Sequence, residues 1–449
     1  MDKPTADRMA SDRVRQRIIR FNPRLKDAIS EAKVRPRILL LQGPVGPFFK
    51  TLQAHLEQNG YDVWRVCFNA GDRFYSSKKG RINFHGDIHE WRNWFHDFAS
   101  TAGFDRVILF GAEREIHRVA RNAAQRLGID VLSLEEGYIR PGYITVEQGG
   151  NNSASPLAGR LPPPEMRYHD QPDFPAEDFK GFRPMCLHGF VYYSFRTFFT
   201  FGKRRELFHR PLSALPEIFY WLRNAGRRIH RHPHNTKTVE WLVKRCHKNY
   251  YLVPFQVDAD AQMQDAALGW NRLRLISATL KSFAQNAPQE SRLVFKVHPL
   301  ERGHANHHAL IDEMARAYGI SDRVDILDHG SMGLLAHHAA GMITITSTSG
   351  LSAIHHGTPL LVLGEALYAH PELAVCAHGK PDFDAFWSCR HVADPTLRRA
   401  YLNWIMHEAL AVGDYYARPG IHTACHSVLG RLKEHKSAVI DMAEARSAG

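Results

Sequence analysis

The stretch IDVLSLEEGYIRPGYIT, residues 129–145, carries a short apolar run straight into two adjacent acids, Glu135 and Glu136, and then Gly137. A run of this length that is bounded by a glycine is typical of a buried β-strand. Ligands of open α/β sheets bind beyond the carboxyl ends of the strands, where a carboxyl group with a raised pKa can act as a general acid or base. The pair therefore indicates either a catalytic acid at a sheet edge or a solvated surface loop.

Apolar runs of the same kind alternate with helical periods along most of the chain. They occupy residues 37–43, 61–68 and 104–111 before this stretch, and residues 250–256, 291–299, 324–328, 341–350 and 359–364 after it. Strands that alternate with helices through short connections predict parallel sheets covered on both faces. The sequence therefore predicts an α/β protein with two Rossmann-like domains that face a central cleft.

Breaks in this pattern divide the 449 residues, which are too many for one ordinary core, into five predicted segments. They are a basic N-terminal leader (1–36), an N-terminal Rossmann-like domain (37–180), a basic aromatic helical insertion (181–249), a C-terminal Rossmann-like domain (250–395) and a C-terminal helical tail (396–449). The Gly-, Asn- and Pro-rich residues 147–180 predict a long loop or linker at the end of the first domain.

The charge balance favours an anionic partner. The formal net charge is +12, and 28 histidines add positive charge below neutral pH. Nucleic acid, an acidic membrane surface, and a phosphorylated or carboxylated substrate all fit such a balance, and the charge alone does not choose among them.

Cysteine usage and hydropathy indicate the compartment. The six cysteines are scattered without a CxxC pair, which disfavours a zinc ribbon or a disulfide framework and favours a reducing compartment. The N-terminus lacks the apolar segment of a secretory signal, and we find no run of about 18 apolar residues that would span a membrane. We expect a cytoplasmic protein, with peripheral membrane attachment still open.

Polar and glycine-containing motifs follow the first two predicted strands. Gly43 and Gly46 lie in QGPVGPFF, where glycines permit either close approach to a ligand or a simple tight turn. Asn69 and Asp72 lie in NAGDRF, where Asp72 predicts either a contact to an acceptor hydroxyl or a local Asx turn. Both pairs are candidate site residues at the same sheet edge as the two acids.

The second half places further chemistry at strand ends. Gln256 and Asp260 lie in FQVDADAQ, where an aspartate can be a nucleophile, a base or a helix N-cap. Lys296 and His298 end the strand FKVHP, and a histidine there can donate to a phosphate or be an ordinary core residue. The segment ITSTSGLSAIHHG predicts an anion site at a helix N-terminus, with simple Ser/Thr capping as the alternative.

The insertion is basic and aromatic. Residues 181–234 contain ten Arg and Lys residues against two acids, and aromatic residues are interleaved among them. This pattern predicts either contact with an anionic membrane surface or a helical insertion with inward-packed aromatics and solvated arginines.

The motifs together resemble one family. LQGPVGPFF, FNAGDRF, EEGYIRPGYITVE, LVPFQVDAD, KVHP, STSGLSAIHHGTPLLVLGEALY and DAFW occur in the order found in capsule polysaccharide β-Kdo transferases of Gram-negative bacteria. Each motif is weak alone, and the ordered set is specific over residues 36–395. The sequence departs from the family pattern after ILFG, where Ala112, Glu113 and Arg114 replace an Asp-Cys-Arg-like turn.

The resemblance implies a GT-B-like architecture, CMP-Kdo as the donor substrate, retention of the anomeric configuration, and neither a metal nor another cofactor. It implies that Asp260 is the nucleophile and Glu136 the acid/base. The implied donor-binding residues are His298, Lys296, Ser347, Thr348, Ser349, Gly350 and Gln256. The implied acceptor or sugar contacts are Glu135, Arg140, Gly43, Gly46, Asn69 and Asp72, with Arg140 or Lys296 also suited to the Kdo carboxylate.

The expected function is a retaining β-Kdo transfer from CMP-Kdo to a (lyso)phosphatidylglycerol-type lipid in capsule linker synthesis. The expected partners are CMP-Kdo, an anionic lipid acceptor, the inner-membrane surface and other capsule assembly proteins, without nucleic acid. The expected location is cytoplasmic and peripheral to the inner membrane. The alternatives are another nucleotide-sugar transferase of surface polysaccharide synthesis and a non-catalytic basic protein that binds a membrane or RNA.

Overall fold

The computed structural model describes residues 35–139, 141–167, 177–202, 207, 214–256, 265–297 and 307–447. Almost all of the predicted leader lies outside these ranges. The strands are β1 (Arg37–Leu40), β2 (Asp62–Cys67), β3 (Arg81–Asn83), β4 (Arg106–Phe110), β5 (Asp130–Glu136), β6 (Tyr143–Gln148), β7 (Tyr250–Pro254), β8 (Arg292–Lys296), β9 (Val324–Leu327), β10 (Gly341–Thr344), β11 (Leu360–Val362), β12 (Val375–Cys376) and β13 (Leu410–Val412).

The helices lie between these strands and after the last of them. They are α1 (Phe48–Gln58), α2 (Ala70–Phe74), α3 (Ile88–Ala102), α4 (Glu115–Arg126), α5 (Phe182–Phe199), α6 (Ala214–Arg245), α7 (Arg272–Asn286), α8 (His307–Ala317), α9 (Met332–His338), α10 (Gly350–His356), α11 (Phe383–Phe386), α12 (Pro395–Ala409) and α13 (Arg418–Ser447).

One sheet contains seven of the described strands, in the order β13-β6-β5-β4-β1-β2-β3. Strands β3, β2, β1, β4 and β5 are parallel, whereas β6 is antiparallel to β5 and β13 is antiparallel to β6. The parallel part has the strand order of a Rossmann-type half. The carboxyl ends of β1, β2, β4 and β5 therefore lie along one edge.

Apolar residues on both faces explain why these strands are central. On one face Leu39, Val107 and Leu109 pack in a cluster with the α3 residues Trp91 and Trp94. On the other face, residues of β1, β4, β5 and β6 form a second cluster with α1 and α13. A strand that is buried on both faces is expected to read as a continuous apolar run, as β1 and β4 do.

Local sequence also fixes the helix that covers the first face. The Asp87 side chain accepts from the backbone of Glu90, and the Glu90 side chain accepts from the backbone of Asp87, which makes a capping box at the start of α3. The helix ends at Gly103, which has the left-handed conformation that glycine adopts without strain. Buried aromatic residues spaced three and four apart then face the sheet.

A second sheet contains six of the described strands in the order β12-β11-β10-β7-β8-β9, and all of them are parallel. Its core includes Val253, Phe295 and Ile343, packed with Phe283 of α7 and with Trp387. The strand ends that carry Gln256, Lys296 and Ser347 come from β7, β8 and β10, which are neighbours in this sheet. The prediction of an α/β fold with two Rossmann-like domains is confirmed, and the antiparallel strands β6 and β13 of the first sheet are an addition to the predicted parallel pattern.

The chain divides into two compact units whose boundaries differ from the five predicted segments. The first unit draws on residues 1–156, 174–214 and 406–449, and the second on residues 157–173 and 215–405. The segment predicted as a tail therefore belongs largely to the first unit, to which it contributes β13 and α13. The predicted insertion is also split, because α5 lies in the first unit and almost all of α6 in the second.

Candidate functional site

Glu136 is the last residue of β5 and lies at the carboxyl edge of the first sheet. The hydroxyl of Tyr416 donates a hydrogen bond of 2.6 Å to Glu136 Oε1. The hydroxyl of Thr145 donates to the Glu136 backbone carbonyl at 3.0 Å. Both the carboxylate and the backbone of Glu136 are therefore held by side chains of the same unit. A carboxylate with a fixed orientation and partial exposure is suited to proton transfer.

Glu135 faces the opposite side of the sheet, because successive side chains of a strand alternate. Its Oε1 accepts from the backbone N–H of Glu136 at 3.2 Å, and its backbone carbonyl accepts from the Tyr415 hydroxyl at 3.0 Å. The partner of Glu136 across the sheet is Ile144, which lies in the apolar cluster with α13. The two acids thus occupy different environments, and a separate role for each stays a prediction.

Gly137 allows the chain to turn back immediately after the acids. A Cβ atom at this position would lie 2.2 Å from the backbone oxygen of Tyr143, at the start of the antiparallel strand β6. No side chain fits such a gap without movement of the backbone. The glycine of the EEG motif is therefore required by the close approach of β5 and β6.

Arg114 is a residue of this edge that the sequence did not identify as functional. Its Nη1 donates to Gln42 Oε1 at 3.2 Å, and its guanidinium carbon lies 5.2 Å from the centre of the Phe110 ring. A Cβ atom at Gly111 would lie 3.1 Å from Arg114 Nε and 3.3 Å from Glu135 Oε2. The guanidinium group of Arg114 and the carboxylate of Glu135 therefore both lie close to Gly111. The only sequence signal was the departure from the family pattern after ILFG.

Asn69 and Asp72 form the capping box of the short helix α2. Asp72 is 1% exposed and accepts from the backbone N–H of Phe68 at 3.0 Å and from the Tyr192 hydroxyl at 2.8 Å. Gln42 Nε2 donates to the same hydroxyl at 3.2 Å. The local turn that was the alternative prediction for Asp72 is therefore present, as the capping box of α2. Contact of Asn69 or Asp72 with an acceptor stays a prediction.

Tyr192 links this network to α5. Its burial, followed by the negative charge of Asp72, raises the pKa of Tyr192 well above 10. The tyrosine therefore stays protonated and donates to Asp72. Since Gln42, Asn69 and Asp72 follow β1 and β2, the network fixes α5 at the carboxyl edge of the first sheet.

Gly43 and Gly46 are both closely packed. A Cβ atom at Gly43 would lie 2.7 Å from the Phe49 ring. Gly46 has a φ of +107°, and a Cβ atom there would lie 3.0 Å from the His188 ring. Packing and backbone conformation thus account for both glycines. Their contact with a sugar stays a prediction.

Glu147 is a buried acid on β6 that the sequence analysis did not single out. Burial raises the pKa of Glu147 to about 7, although hydrogen bonds from Ser155 and Tyr138 oppose the rise. The Tyr138 hydroxyl in turn accepts from the backbone N–H of Asn152, a residue with a φ of +57°. These hydrogen bonds connect the loop after β6, which contains Asn152 and Ser155, to Tyr138, the residue that follows the EEG motif.

In the second unit, Gln256 is joined to Thr346 by reciprocal hydrogen bonds. Gln256 Nε2 donates to Thr346 Oγ1 at 3.0 Å, and Gln256 Oε1 accepts from the Thr346 backbone N–H at 3.1 Å. The pair connects the carboxyl ends of β7 and β10. Lys296 is buried at the end of β8, where its backbone carbonyl accepts from Phe255 at 2.9 Å. Gln256 and Lys296 thus lie at strand ends, as predicted, and the structure adds that their strands β7 and β8 are neighbours.

The Ser347–Gly350 segment lies between β10 and α10. Ser347 Oγ donates to Ser349 Oγ at 3.1 Å and accepts from the Ser349 backbone N–H at 3.2 Å. Ser349 itself makes no side-chain cap to the helix. The Tyr368 hydroxyl donates to the Ser347 backbone carbonyl and occupies the space that a Cβ atom at Gly350 would need. Three partly exposed hydroxyls, those of Ser347, Thr348 and Ser349, are therefore presented together at the sheet edge.

Three predicted site residues lie outside the described residues. They are Asp260, His298 and Arg140. Their roles, including that of Asp260 as nucleophile, stay predictions.

Two arginines of the basic insertion have structural partners. Arg196 of α5 is buried, with its guanidinium carbon 4.7 Å from the centre of the Tyr193 ring. In the second unit, Arg231 of α6 pairs with Asp328 at 3.0 Å. Burial alone would raise the pKa of Asp328, but hydrogen bonds from His308 and Arg231 outweigh it and lower the pKa to about 2. Neither arginine is a merely solvated charge.

Two kinds of feature are absent from the part of the chain that the structure describes. Within them, no helix is both long and apolar enough to cross a membrane. Within the same ranges, no group of three or more His, Cys, Asp or Glu residues has the geometry of a metal site. Metal independence stays a prediction.

Comparison with known proteins places this geometry in context. A family model described as capsule polysaccharide biosynthesis protein matches residues 105–416, more than half of the chain. The chain is similar to the capsule polysaccharide export protein KpsS of Escherichia coli, with 32% identity over 385 residues that cover 85% of this chain and 97% of that protein. It is also similar to the capsule polysaccharide modification protein LipB of Neisseria meningitidis serogroup A, with 27% identity over 392 residues that cover 85% and 92%.

Among solved structures, one similar chain is the KpsC beta Kdo 2,7 transferase of Thermosulfurimonas dismutans. It shares 14% identity with a TM-score of 0.39, over 88% of this chain and 99% of that chain.

Proposed function

The chain belongs to the capsule polysaccharide biosynthesis protein family, and on that basis we propose that it is a retaining β-Kdo transferase. The proposed donor is CMP-Kdo, and the proposed acceptor is a (lyso)phosphatidylglycerol-type lipid. The proposal is carried by the position of Glu136, whose carboxylate lies at the carboxyl edge of a Rossmann-type sheet and accepts a hydrogen bond from Tyr416. Ligand sites of such sheets lie at this edge.

In the proposed mechanism, the Asp260 carboxylate attacks the anomeric carbon of Kdo and the bond to the CMP phosphate breaks. Kdo is then held as an ester on Asp260 while CMP leaves. The oxygen of the acceptor hydroxyl then attacks the same carbon and displaces the Asp260 carboxylate. Glu136 takes the proton of that hydroxyl during the attack. Two displacements retain the anomeric configuration, as in retaining glycosidases.

The donor side is assigned to the second unit. The hydroxyls of Ser347, Thr348 and Ser349 and the imidazole of His298 would donate hydrogen bonds to CMP as negative charge grows on its phosphate. The reciprocal pair of Gln256 and Thr346 supports this role, because it holds the start of the hydroxyl-bearing segment in place. Lys296 supplies a cation for the Kdo carboxylate or the phosphate.

The experiment is an incubation of the full chain with CMP-Kdo and a fluorescent lysophosphatidylglycerol, with and without EDTA, followed by mass spectrometry. The expected result is an acceptor heavier by one Kdo unit together with free CMP, both independent of EDTA. A product that forms only when metal is present would overturn the metal-independent mechanism. Thermal stabilisation by UDP and not by CMP, with no transfer of Kdo, would overturn the donor assignment.

The proposal also includes a peripheral location at the inner membrane, where the proposed lipid acceptor would lie. Other capsule assembly proteins are further proposed partners. Membership of the capsule polysaccharide biosynthesis protein family supports both statements.

A further inference from the structure

Arg114 lies at the carboxyl edge of the first sheet, in the turn between β4 and α4. Its Nη1 donates to Gln42 Oε1 at 3.2 Å, and its guanidinium carbon lies 5.2 Å from the centre of the Phe110 ring. Ligands of such sheets bind at this edge. We propose that Arg114 is a specificity-determining residue that binds an oxyanion of the substrate, either a carboxylate or a phosphate.

The guanidinium group of Arg114 keeps most of its capacity for hydrogen bonds. A guanidinium group carries five N–H donors. Within the described residues, Arg114 uses one of them, and its acceptor is the neutral amide of Gln42. The residue is half-buried, and an arginine removed from water is normally paired with an acid. The remaining donors are therefore suited to an anionic ligand.

Other arginines of the first unit show the usual pairing. Arg37, Arg106 and Arg121 each pair with a carboxylate, at 2.9, 2.8 and 3.0 Å. The acid that pairs with Arg121 is Glu113, the residue immediately before Arg114. The carboxylate nearest to Arg114 in the sequence is thus already paired, and Arg114 has no ion pair in the part of the chain that the structure describes.

Gln42 fixes the orientation of the arginine. Gln42 Nε2 donates to Asp72 Oδ2 and to the Tyr192 hydroxyl, both at 3.2 Å, so that Gln42 Oε1 is the atom that faces Arg114. Gln42 and Asp72 are both buried. A donor group that is already held in place binds an anion with a smaller loss of conformational entropy.

Gly111 leaves space for both the cation and an acid at this turn. Its φ is +80°, and a Cβ atom there would lie 3.1 Å from Arg114 Nε and 3.3 Å from Glu135 Oε2. A ligand with an oxyanion beside a hydroxyl group matches this arrangement, because the oxyanion can accept from Arg114 while the hydroxyl donates to Glu135. Sugar acids and glycerol phosphates both have this combination of groups.

The histidine next to this turn adds no second positive charge. His117 Nδ1 donates to the Gly111 carbonyl at 2.9 Å. Burial, and after it the positive charge of Arg114, lowers the pKa of His117 to about 3, so that the ring is neutral at neutral pH. The guanidinium group of Arg114, in contrast, stays charged across the whole working range of pH.

The anion site rests on the proposed function only for the identity of its ligand. The proposed substrates carry two suitable oxyanions, the carboxylate of Kdo and the phosphate of the lipid acceptor. A guanidinium group matches either of them through two parallel hydrogen bonds. The experiment therefore varies the donor and the acceptor separately.

The kinetic experiment compares the full chain with Arg114→Gln and Arg114→Lys. The control is Arg126→Gln, because Arg126 is exposed at the other end of α4 and its replacement removes the same charge away from the carboxyl edge. The KM values for CMP-Kdo and for lysophosphatidylglycerol are measured in turn. A third series uses a monoacylglycerol, which keeps hydroxyl groups but lacks the phosphate. Thermal unfolding checks that each variant is folded.

We expect Arg114→Gln to raise the KM of one substrate by about 10-fold to 100-fold, and Arg114→Lys to recover part of this loss because it keeps the charge. If the anion is the Kdo carboxylate, the KM for CMP-Kdo rises with either acceptor. If it is the phosphate, the KM for lysophosphatidylglycerol rises and the KM for the monoacylglycerol does not. Unchanged KM values in Arg114→Gln, or an equal rise in Arg126→Gln, would overturn the anion site.

A binding experiment separates the anion site from the proposed function. Ligand-observed NMR measures binding of free Kdo and of glycerol 3-phosphate, which carry one oxyanion chemistry each and undergo no transfer. Binding of either probe that is lost in Arg114→Gln, with no Kdo transfer by the unaltered protein, would support the anion site and overturn the proposed function. Kdo transfer with the same KM values in the unaltered protein and Arg114→Gln would support the proposed function and overturn the anion site.

Discussion

The hydroxyl of Tyr416 donates a hydrogen bond of 2.6 Å to Oε1 of Glu136, and the two residues are 280 positions apart in the sequence. Glu136 ends a strand of the first sheet, and Tyr416 follows the short strand β13 that completes the same sheet. The orientation of the acid therefore depends on a segment far from the EEG motif.

Replacement of Glu136 should remove the proposed acid/base. We expect Glu136→Gln to lower the transfer rate by about 100-fold to 10,000-fold, the usual contribution of such a group. Tyr416→Phe should lower it by about tenfold, because it removes the bond that orients the carboxylate. The measurement is the rate of CMP release from CMP-Kdo in the presence of the lysophosphatidylglycerol acceptor.

The control for both variants is Glu135→Gln, since Glu135 is the adjacent acid on the other face of the strand. Its effect on the rate should be smaller than that of Glu136→Gln. A larger effect at Glu135 would reverse the proposed assignment of the two acids.

A side chain at Gly137 should destabilise the protein. Gly137→Ala places a Cβ atom 2.2 Å from the Tyr143 backbone oxygen, and the backbone must shift to admit it. We expect the free energy of unfolding to fall by about 1–3 kcal/mol, as measured by urea denaturation.

The matched substitution is Gly189→Ala in α5, where a Cβ atom would meet nothing within 4 Å. Alanine is a better helix former than glycine, so this variant should be neutral or more stable by up to about 1 kcal/mol. Equal stability of Gly137→Ala and the unaltered protein would mean that the backbone at Tyr143 can move away from residue 137 without cost.

The buried acid Glu147 should make stability depend on pH. Burial raises its pKa from 4.5 to about 7, so between these values the folded protein keeps a proton that the unfolded chain releases. The resulting stability is fully present below pH 4.5 and is lost as the pH rises through about 7. The contribution of Glu147 to the free energy of unfolding should fall by about 3 kcal/mol over this pH range.

Glu147→Gln cannot release a proton, so its stability should change less than that of the unaltered protein over this range. Urea denaturation at several values between about pH 4.5 and about pH 8 measures the difference. Parallel curves for the two proteins would show that Glu147 is already ionised in the folded state at the lower pH.

Loss of the Thr346 hydroxyl should weaken donor binding. Thr346→Val removes the acceptor of Gln256 Nε2, so that only the backbone hydrogen bond to Gln256 Oε1 still holds the segment that leads to Ser347. We expect the Kd for CMP, measured by isothermal titration calorimetry, to rise about 5-fold to 100-fold.

The control is Thr358→Val, which also removes a buried hydroxyl. Thr358 lies just before β11, and its hydroxyl donates to the backbone carbonyl of Ala336 and not to Gln256. This variant should lose some stability and keep the Kd for CMP. If both variants weakened CMP binding equally, the effect would reflect general destabilisation and not the Gln256 contact.

The sequence alone predicted the local parts of this architecture. The runs around β1, β4, β5, β7 and β8 were identified because strands buried on both faces are continuously apolar. The position of Glu135 and Glu136 at the end of β5 follows from the same reasoning. A local Asx turn at Asp72 was anticipated as an alternative because aspartate favours such turns, and the structure has the capping box of Asn69 and Asp72 there.

Contacts between distant segments were not predictable from one sequence. Nothing near Tyr416 or Tyr192 indicates that their hydroxyls reach Glu136 and Asp72. The strand β13 is three residues long and does not differ in composition from the end of a helix. Arg114 was noticed only as a departure from a family pattern, because its contact with Gln42 spans 72 residues.

The completion of the first sheet by β13 has a consequence for the order in which the protein matures. During synthesis, the ribosome delivers Glu136 long before Tyr416, and the whole of residues 215–405 emerges between them. Domains usually fold in the order in which they are made, but the first unit cannot complete its sheet in that order. The acid of the EEG motif therefore acquires its hydrogen-bond partner only after the second unit has been translated.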